Sequence, residues 1–147
     1  MARSLFFVLA LFFTALHTLA QSKEMPAPVK ETFSAQYPNA GDIVYRDNLL
    51  NSSVEFTVNG EKMVASYTKK GVWKGSEKDW SYDKLSEGVK DGFSKSKYAD
   101  WKVEETKIIY RPGGMERFRI KVGKSDLQKK YLFFNKEGRL VDEQLTI

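Results

Sequence analysis

The sequence predicts an α+β protein: a tandem repeat of one helix plus a four-stranded antiparallel sheet, with the helices packed on one sheet face. Three observations predict it. The segments VKETFSAQYP (Val29–Pro38) and VKDGFSKSKY (Val89–Tyr98) are near-copies 60 residues apart. Each precedes short runs in which apolar and polar residues alternate, the period of a half-buried strand. Turn residues, Asn59-Gly60 in one half and Pro112-Gly113-Gly114 in the other, punctuate those runs.

In chain order, residues 1–20 read as a signal peptide. Arg3 precedes an unbroken apolar run from Leu5 to Phe13, and Thr18-Leu19-Ala20 supplies the small residues a signal peptidase needs. The apolar stretch ends near Leu16, short of the roughly 20 residues that span a bilayer, so export with cleavage after Ala20 is the expectation, with no membrane insertion afterwards.

The first copy covers about residues 25–80. Val29, Phe33 and Tyr37, four residues apart, stack on one helical stripe, with Pro28 in the first turn and Pro38 ending the helix. DIVYRDN, SVEFTVN and KMVASYT follow as strands, and the turn TKKG leads into a short fourth strand, VWKG. The polar stretch KGSEKDWSYDK then reads as a connector in which Trp80 and Tyr82 pack across the junction.

The second copy covers residues 81–147. Leu85, Val89 and Phe93 repeat the helical stripe, and Asp83 is placed to cap the helix. Gly88 and Gly92 each cost a helix about 1 kcal/mol against alanine, which implies a close approach to the sheet. KVEETKIIY, ERFRIKV, KKYLFF and LVDEQLTI supply four strands. Lys136, Gly138 and Leu140 match Lys69, Gly71 and Trp73 of the first copy's turn. A single helix over a short sheet buries little, so two copies gain by sharing an interior or joining their sheets.

These residues carry a family resemblance. Pro26 with Val29-Lys30 and Phe33, then Tyr37-Pro38-Asn39-Ala40, then Glu55-Phe56 with Asn59-Gly60, and Lys69, Gly71 and Trp73, together resemble the β-lactamase-inhibitor-like, PepSY-like domains. The resemblance runs from about Met25 to Ile147. It implies an exported bacterial domain, periplasmic or extracellular, with a fold similar to the tandem-repeat β-lactamase inhibitory protein. It also implies a non-catalytic binding or inhibitory module. The chain departs from the inhibitory protein in having no cysteine, and no inhibitory loop is recognisable, so β-lactamase inhibition is not carried over.

Composition narrows the chemistry further. The only histidine is His17, inside the predicted signal peptide, and there is no cysteine. Beyond Ala20 that excludes histidine- or cysteine-based nucleophilic triads, the common zinc sites and haem or iron–sulfur ligation through those residues. No phosphate-binding glycine loop and no EF-hand pattern occurs, so neither cofactor nor metal is expected. Glu104-Glu105 and Asp142-Glu143 are adjacent carboxylates, which a regular strand points to opposite faces. The net charge of +5 is modest, and nucleic-acid binders carry a stronger, clustered excess.

With helices on one sheet face, the other faces solvent or a partner. Arg117, Arg119 and Lys121 alternate with the buried residues of their strand, and Tyr131 and Phe133 share one face of the next. If the register sets the rings beside the arginines, a mixed aromatic and basic surface results. Those five residues and Trp73 are the candidate partner-binding residues, and another envelope protein bound by a monomer is the expected partner. The alternative is an envelope small-molecule or glycan binder with a closed pocket lined by Trp73 or Trp101.

Overall fold

The computed structural model describes residues 24–146. The predicted signal peptide lies outside the described residues. In chain order the elements are α1 (Ala27–Gln36), β1 (Gly41–Asp47), β2 (Ser52–Val58), β3 (Glu61–Tyr67) and β4 (Trp73–Asp79), then α2 (Glu87–Ser94), β5 (Lys102–Arg111), β6 (Met115–Ser125), β7 (Gln128–Phe134) and β8 (Leu140–Leu145). All eight strands form one antiparallel sheet in sequential order from β1 to β8. No helix of the described residues is long and apolar enough to cross a membrane.

The fourth strand extends well past the predicted VWKG, because Ser76, Glu77, Lys78 and Asp79 pair with Tyr110, Ile109, Ile108 and Lys107 of β5. A stretch too polar to read as a strand thus becomes the seam of the sheet. It is stabilised by neighbours on both sides rather than by its own β-propensity.

Alternation in each strand sends one set of side chains under the helices. Val29 and Phe33 of α1 pack with Val54, Phe56, Met63, Ala65 and Tyr67. Val89 and Phe93 of α2 pack with Ile108, Ile120, Val122, Leu132 and Phe134. The expected shared interior is therefore two clusters, and Tyr110 at the seam packs against both. The helices are separate and short, and each covers only the strands nearest to it.

The second helix also starts differently from the expectation. Asp83 lies in a 3-10 turn, Tyr82–Lys84, and the residue that caps α2 is Ser86, whose side chain accepts from the Val89 N–H at 3.4 Å. Leu85 is extended (φ −63°, ψ 150°), so the helix cannot begin before it. Leu85 is nonetheless buried in the same cluster as Val89 and Phe93.

The two halves close their helix-to-turn joints in the same way. In the β3–β4 turn, Thr68 and Gly71 N–H groups donate to Val72 and Thr68 carbonyls; in the β7–β8 turn, Asn135 and Gly138 donate to Arg139 and Asn135. Each glycine has positive φ and sits against the start of a helix. A Cβ on Gly71 would lie 2.3 Å from the Pro28 carbonyl oxygen, and one on Gly138 would lie 1.9 Å from that of Gly88. The close approach that the glycines of α2 imply is thus to this turn: a Cβ on Gly92 would meet the Gly138 oxygen at 1.8 Å.

Candidate functional site

The sheet face away from the helices is open, and register decides what it displays. Arg119 pairs with Phe133 and Lys121 with Tyr131, so these four share that face. Arg117, two residues before Arg119, points the same way and pairs with Ile109. The Arg119 guanidinium carbon stands 4.6 Å from the centre of the Tyr131 ring, and the Lys121 ammonium 6.0 Å from it. Such stacking stabilises a cation over a ring by about 0.5–1 kcal/mol when exposed and more when desolvated.

Arg119 is held from below as well. One terminal nitrogen donates to Glu105 at 2.9 Å and the other to Glu77 at 3.4 Å, while the buried Nε has no hydrogen-bond partner. Lys107 joins the same network through Glu77 and Asp79. Burial opposes its ammonium form, but Glu77, Asp79 and Glu105 outweigh burial and hold its pKa above the usual lysine value.

The two glutamates of β5 depart from the regular pattern. A bulge between Val103 and Glu105 shifts the register, so Glu104 and Glu105 do not lie on opposite faces as a regular strand requires. Glu104 meets Lys129 at 2.8 Å and Lys121 at 3.6 Å on the open face, beside the Glu105–Arg119 pair. The Lys129 hydrogen bond holds the Glu104 carboxyl below its ordinary pKa. Asp142 and Glu143 do separate, for Asp142 pairs with Phe133 while Glu143 accepts from the Tyr98 hydroxyl at 2.8 Å near α2.

Across β1 to β5 the same face is hollowed. A depression of about 560 Å³ is lined by Val44, Glu55, Val64, Glu77, Asp79 and Lys107, among others. It abuts the Arg119–Tyr131 stack, because Glu77 and Lys107 belong to both. Sequence reasoning missed this half of the face, since residues 76–79 of β4 read as a polar connector rather than a strand.

Trp73 lies elsewhere. It pairs with Tyr67, whose side chain is buried under α1, so the indole sits on the helix side and donates to Ser76 Oγ at 2.9 Å. There Trp73, Tyr37 and Tyr110 line an open cleft of about 470 Å³ that also meets Glu61 and Lys78. Trp80 and Trp101 pack against the second cluster, with the Lys78 ammonium 4.4 Å from the centre of the Trp80 ring. Trp80 and Tyr82 therefore fill one half's core rather than bridging the junction. Among the described residues, no group of three or more acidic, histidine or cysteine side chains could hold a metal ion.

An open eight-stranded antiparallel sheet with two helices on one face defines a BLIP-like fold. Solved structures share it. A DUF2874 family protein from Bacteroides ovatus superposes with a TM-score of 0.76 at 26% identity, over 83% of this chain and 88% of that one. A BLIP-like protein from Bacteroides fragilis gives 0.77 at 21% identity over 84% and 87%. A protein from Bacteroides eggerthii, named as a candidate periplasmic protein, gives 0.73 at 22% identity over 83% and 89%. No protein-family model and no curated protein matches the chain.

Proposed function

We propose that the protein is an exported, non-catalytic binding module that recognises another envelope protein with its open sheet face. The observation that carries this reading is the Arg119–Tyr131 stack. Glu77 and Glu105 fix the guanidinium from below, and Phe133 adjoins it on a face no helix covers. Arginine and tyrosine are over-represented at interface hot spots, and a side chain already held in place loses less entropy on binding. The name of the Bacteroides eggerthii neighbour favours a periplasmic setting. The shared turn bonding and the matched turn glycines, Gly71 and Gly138, favour descent of the two halves from one duplicated helix-plus-four-strand unit.

Affinity capture from a bacterial envelope fraction tests the reading. The wild-type protein should retain a partner that a triple variant, Arg119→Ala with Tyr131→Ala and Phe133→Ala, loses by at least tenfold. Recovery of the same proteins by both forms counts against it. The cleft around Trp73 favours a second reading, a small-molecule or glycan binder, because its three aromatic rings offer stacking surfaces. Thermal stabilisation by an oligosaccharide, abolished in Trp73→Ala, is the result expected of it.

A further inference from the structure

Hairpins of an antiparallel meander alternate between the two ends of the sheet, so the β1–β2, β3–β4, β5–β6 and β7–β8 connections share one end. That end is apolar at its tips. Leu49 and Leu50 are 95% and 85% exposed in the β1–β2 turn, Val72 is 60% exposed in the next and Met115 is 47% exposed after the third. A single exposed leucine is ordinary, but two in succession at a hairpin tip replace the polar residues that turns favour. Neither leucine buries enough surface to contribute to folding.

The same end is basic. Lys69, Lys70, Lys74, Arg111, Lys136 and Arg139 stand in or beside these turns, against Asp47, Glu116 and Glu137. Asp47 holds Lys69, and Glu116 meets Lys136, but Lys70 and Lys74 have no acidic partner among the described residues. At the opposite end Leu127 is 97% and Leu145 74% exposed, but they stand on different elements, beside Asp126 and opposite Lys130, rather than in succession at one tip, and the β2–β3 turn is Asn59-Gly60-Glu61. The chain enters the described structure at the basic end, since Pro28 at the start of α1 touches the β3–β4 turn.

We propose that this end of the sheet docks on an anionic phospholipid surface, with Leu49, Leu50 and Val72 at the acyl boundary and Lys70 and Lys74 among the headgroup phosphates. Two arguments favour lipid over a protein groove. Successive hairpins at one end stand roughly 10 Å apart, twice the strand spacing, so the apolar groups form separated points rather than one patch. A fluid bilayer accommodates separated points, whereas a protein interface needs a contiguous buried centre. The unpaired lysines also match an anionic surface, each favouring it by about fivefold. The site is distinct from the open sheet face and stands whether or not that face binds a partner.

Co-sedimentation with vesicles tests this, using protein purified from the envelope fraction with its N-terminus determined by mass spectrometry. Binding is expected to mixed phosphatidylglycerol and phosphatidylethanolamine vesicles, weakening as salt rises, and not to phosphatidylcholine vesicles. Leu49→Ser with Leu50→Ser should lower the affinity at least about tenfold, and Lys70→Gln with Lys74→Gln should lower it about twentyfold. Both variants should keep the wild-type denaturation midpoint, and the Arg119, Tyr131 and Phe133 triple variant should bind vesicles normally. Equal sedimentation of wild type and the leucine variant would overturn the proposal. So would a wild-type dimer that the leucine variant converts to a monomer, which would assign the leucines to a contact between copies.

Discussion

The first half of the molecule and the second solve one packing problem with different materials. Under α1 the core is rich in rings and hydroxyls. Phe33 packs edge-on against Phe56 at 5.0 Å and Tyr67 at 6.5 Å, and the Tyr67 hydroxyl donates to Gln36 at 2.9 Å. Tyr45 shares a hydrogen bond with buried Ser52, and Tyr37 shares one with buried Ser76. Under α2 the corresponding space holds Ile120, Val122, Leu132 and Phe134, all fully buried. The second half relies more on aliphatic burial, with the Tyr98 hydroxyl donating to Glu143; in the first, several hydroxyl pairs must be satisfied for the rings to stay inside. Volume and pattern thus specify a helix packed on strands in each half, while the chemistry of the filling is free to vary.

Deleting the central ring of either cluster should give the largest effect. Phe33→Ala and Phe93→Ala should each cost about 3–5 kcal/mol in urea denaturation. If both shift one common transition, the seam at β4–β5 couples the halves; two transitions would mean that they unfold independently. The glycine joints come next. Gly138→Ala should cost roughly 2–5 kcal/mol, combining left-handed strain with a backbone collision in the middle of a packed joint. Gly71→Ala should cost less, because its collision is with Pro28, near the start of the described chain, where the backbone has fewer neighbours to displace.

Tyr67→Phe should cost about 1 kcal/mol through the lost hydrogen bond. It also changes the response to alkali. Burial raises the Tyr67 phenol well above its ordinary pKa of 10. The folded state therefore holds this proton more tightly than the unfolded one. The stabilisation is complete below about pH 10 and falls as pH rises beyond it. Denaturation midpoints measured between pH 9 and 11.5 should drop more steeply for wild type than for Tyr67→Phe. The smallest effect expected is that of Ser86→Ala, about 0.5–1 kcal/mol, since its capping hydrogen bond is long.

Much of this was legible in the chain because the signals are local. Val29 with Phe33, and Val89 with Phe93, mark the buried helix faces, and alternation in β2 and β6 marks the buried strand faces. Asn59-Gly60 adopts the positive φ its residues tolerate. The misses share a cause as well. The Glu77–Asp79 stretch is a strand because β3 and β5 flank it, and Glu104 turns to the open face because of a bulge. Neither event leaves a mark in composition. The cap moved from Asp83 to Ser86 because Leu85 reaches the core in an extended conformation. Trp73 resembled a surface residue only until its partner across the ladder proved to be buried Tyr67.

The sequence by itself determined most of the elements, their order and the apolar face of the helices and of the alternating strands, because periodicity and turn chemistry act within a few residues. Only the tertiary structure decided that eight strands join in one sheet with two clusters, and that Arg119 stands over Tyr131 between Glu77 and Glu105. Those outcomes depend on register between strands, which brings together side chains far apart in sequence through hydrogen bonds that no single strand contains.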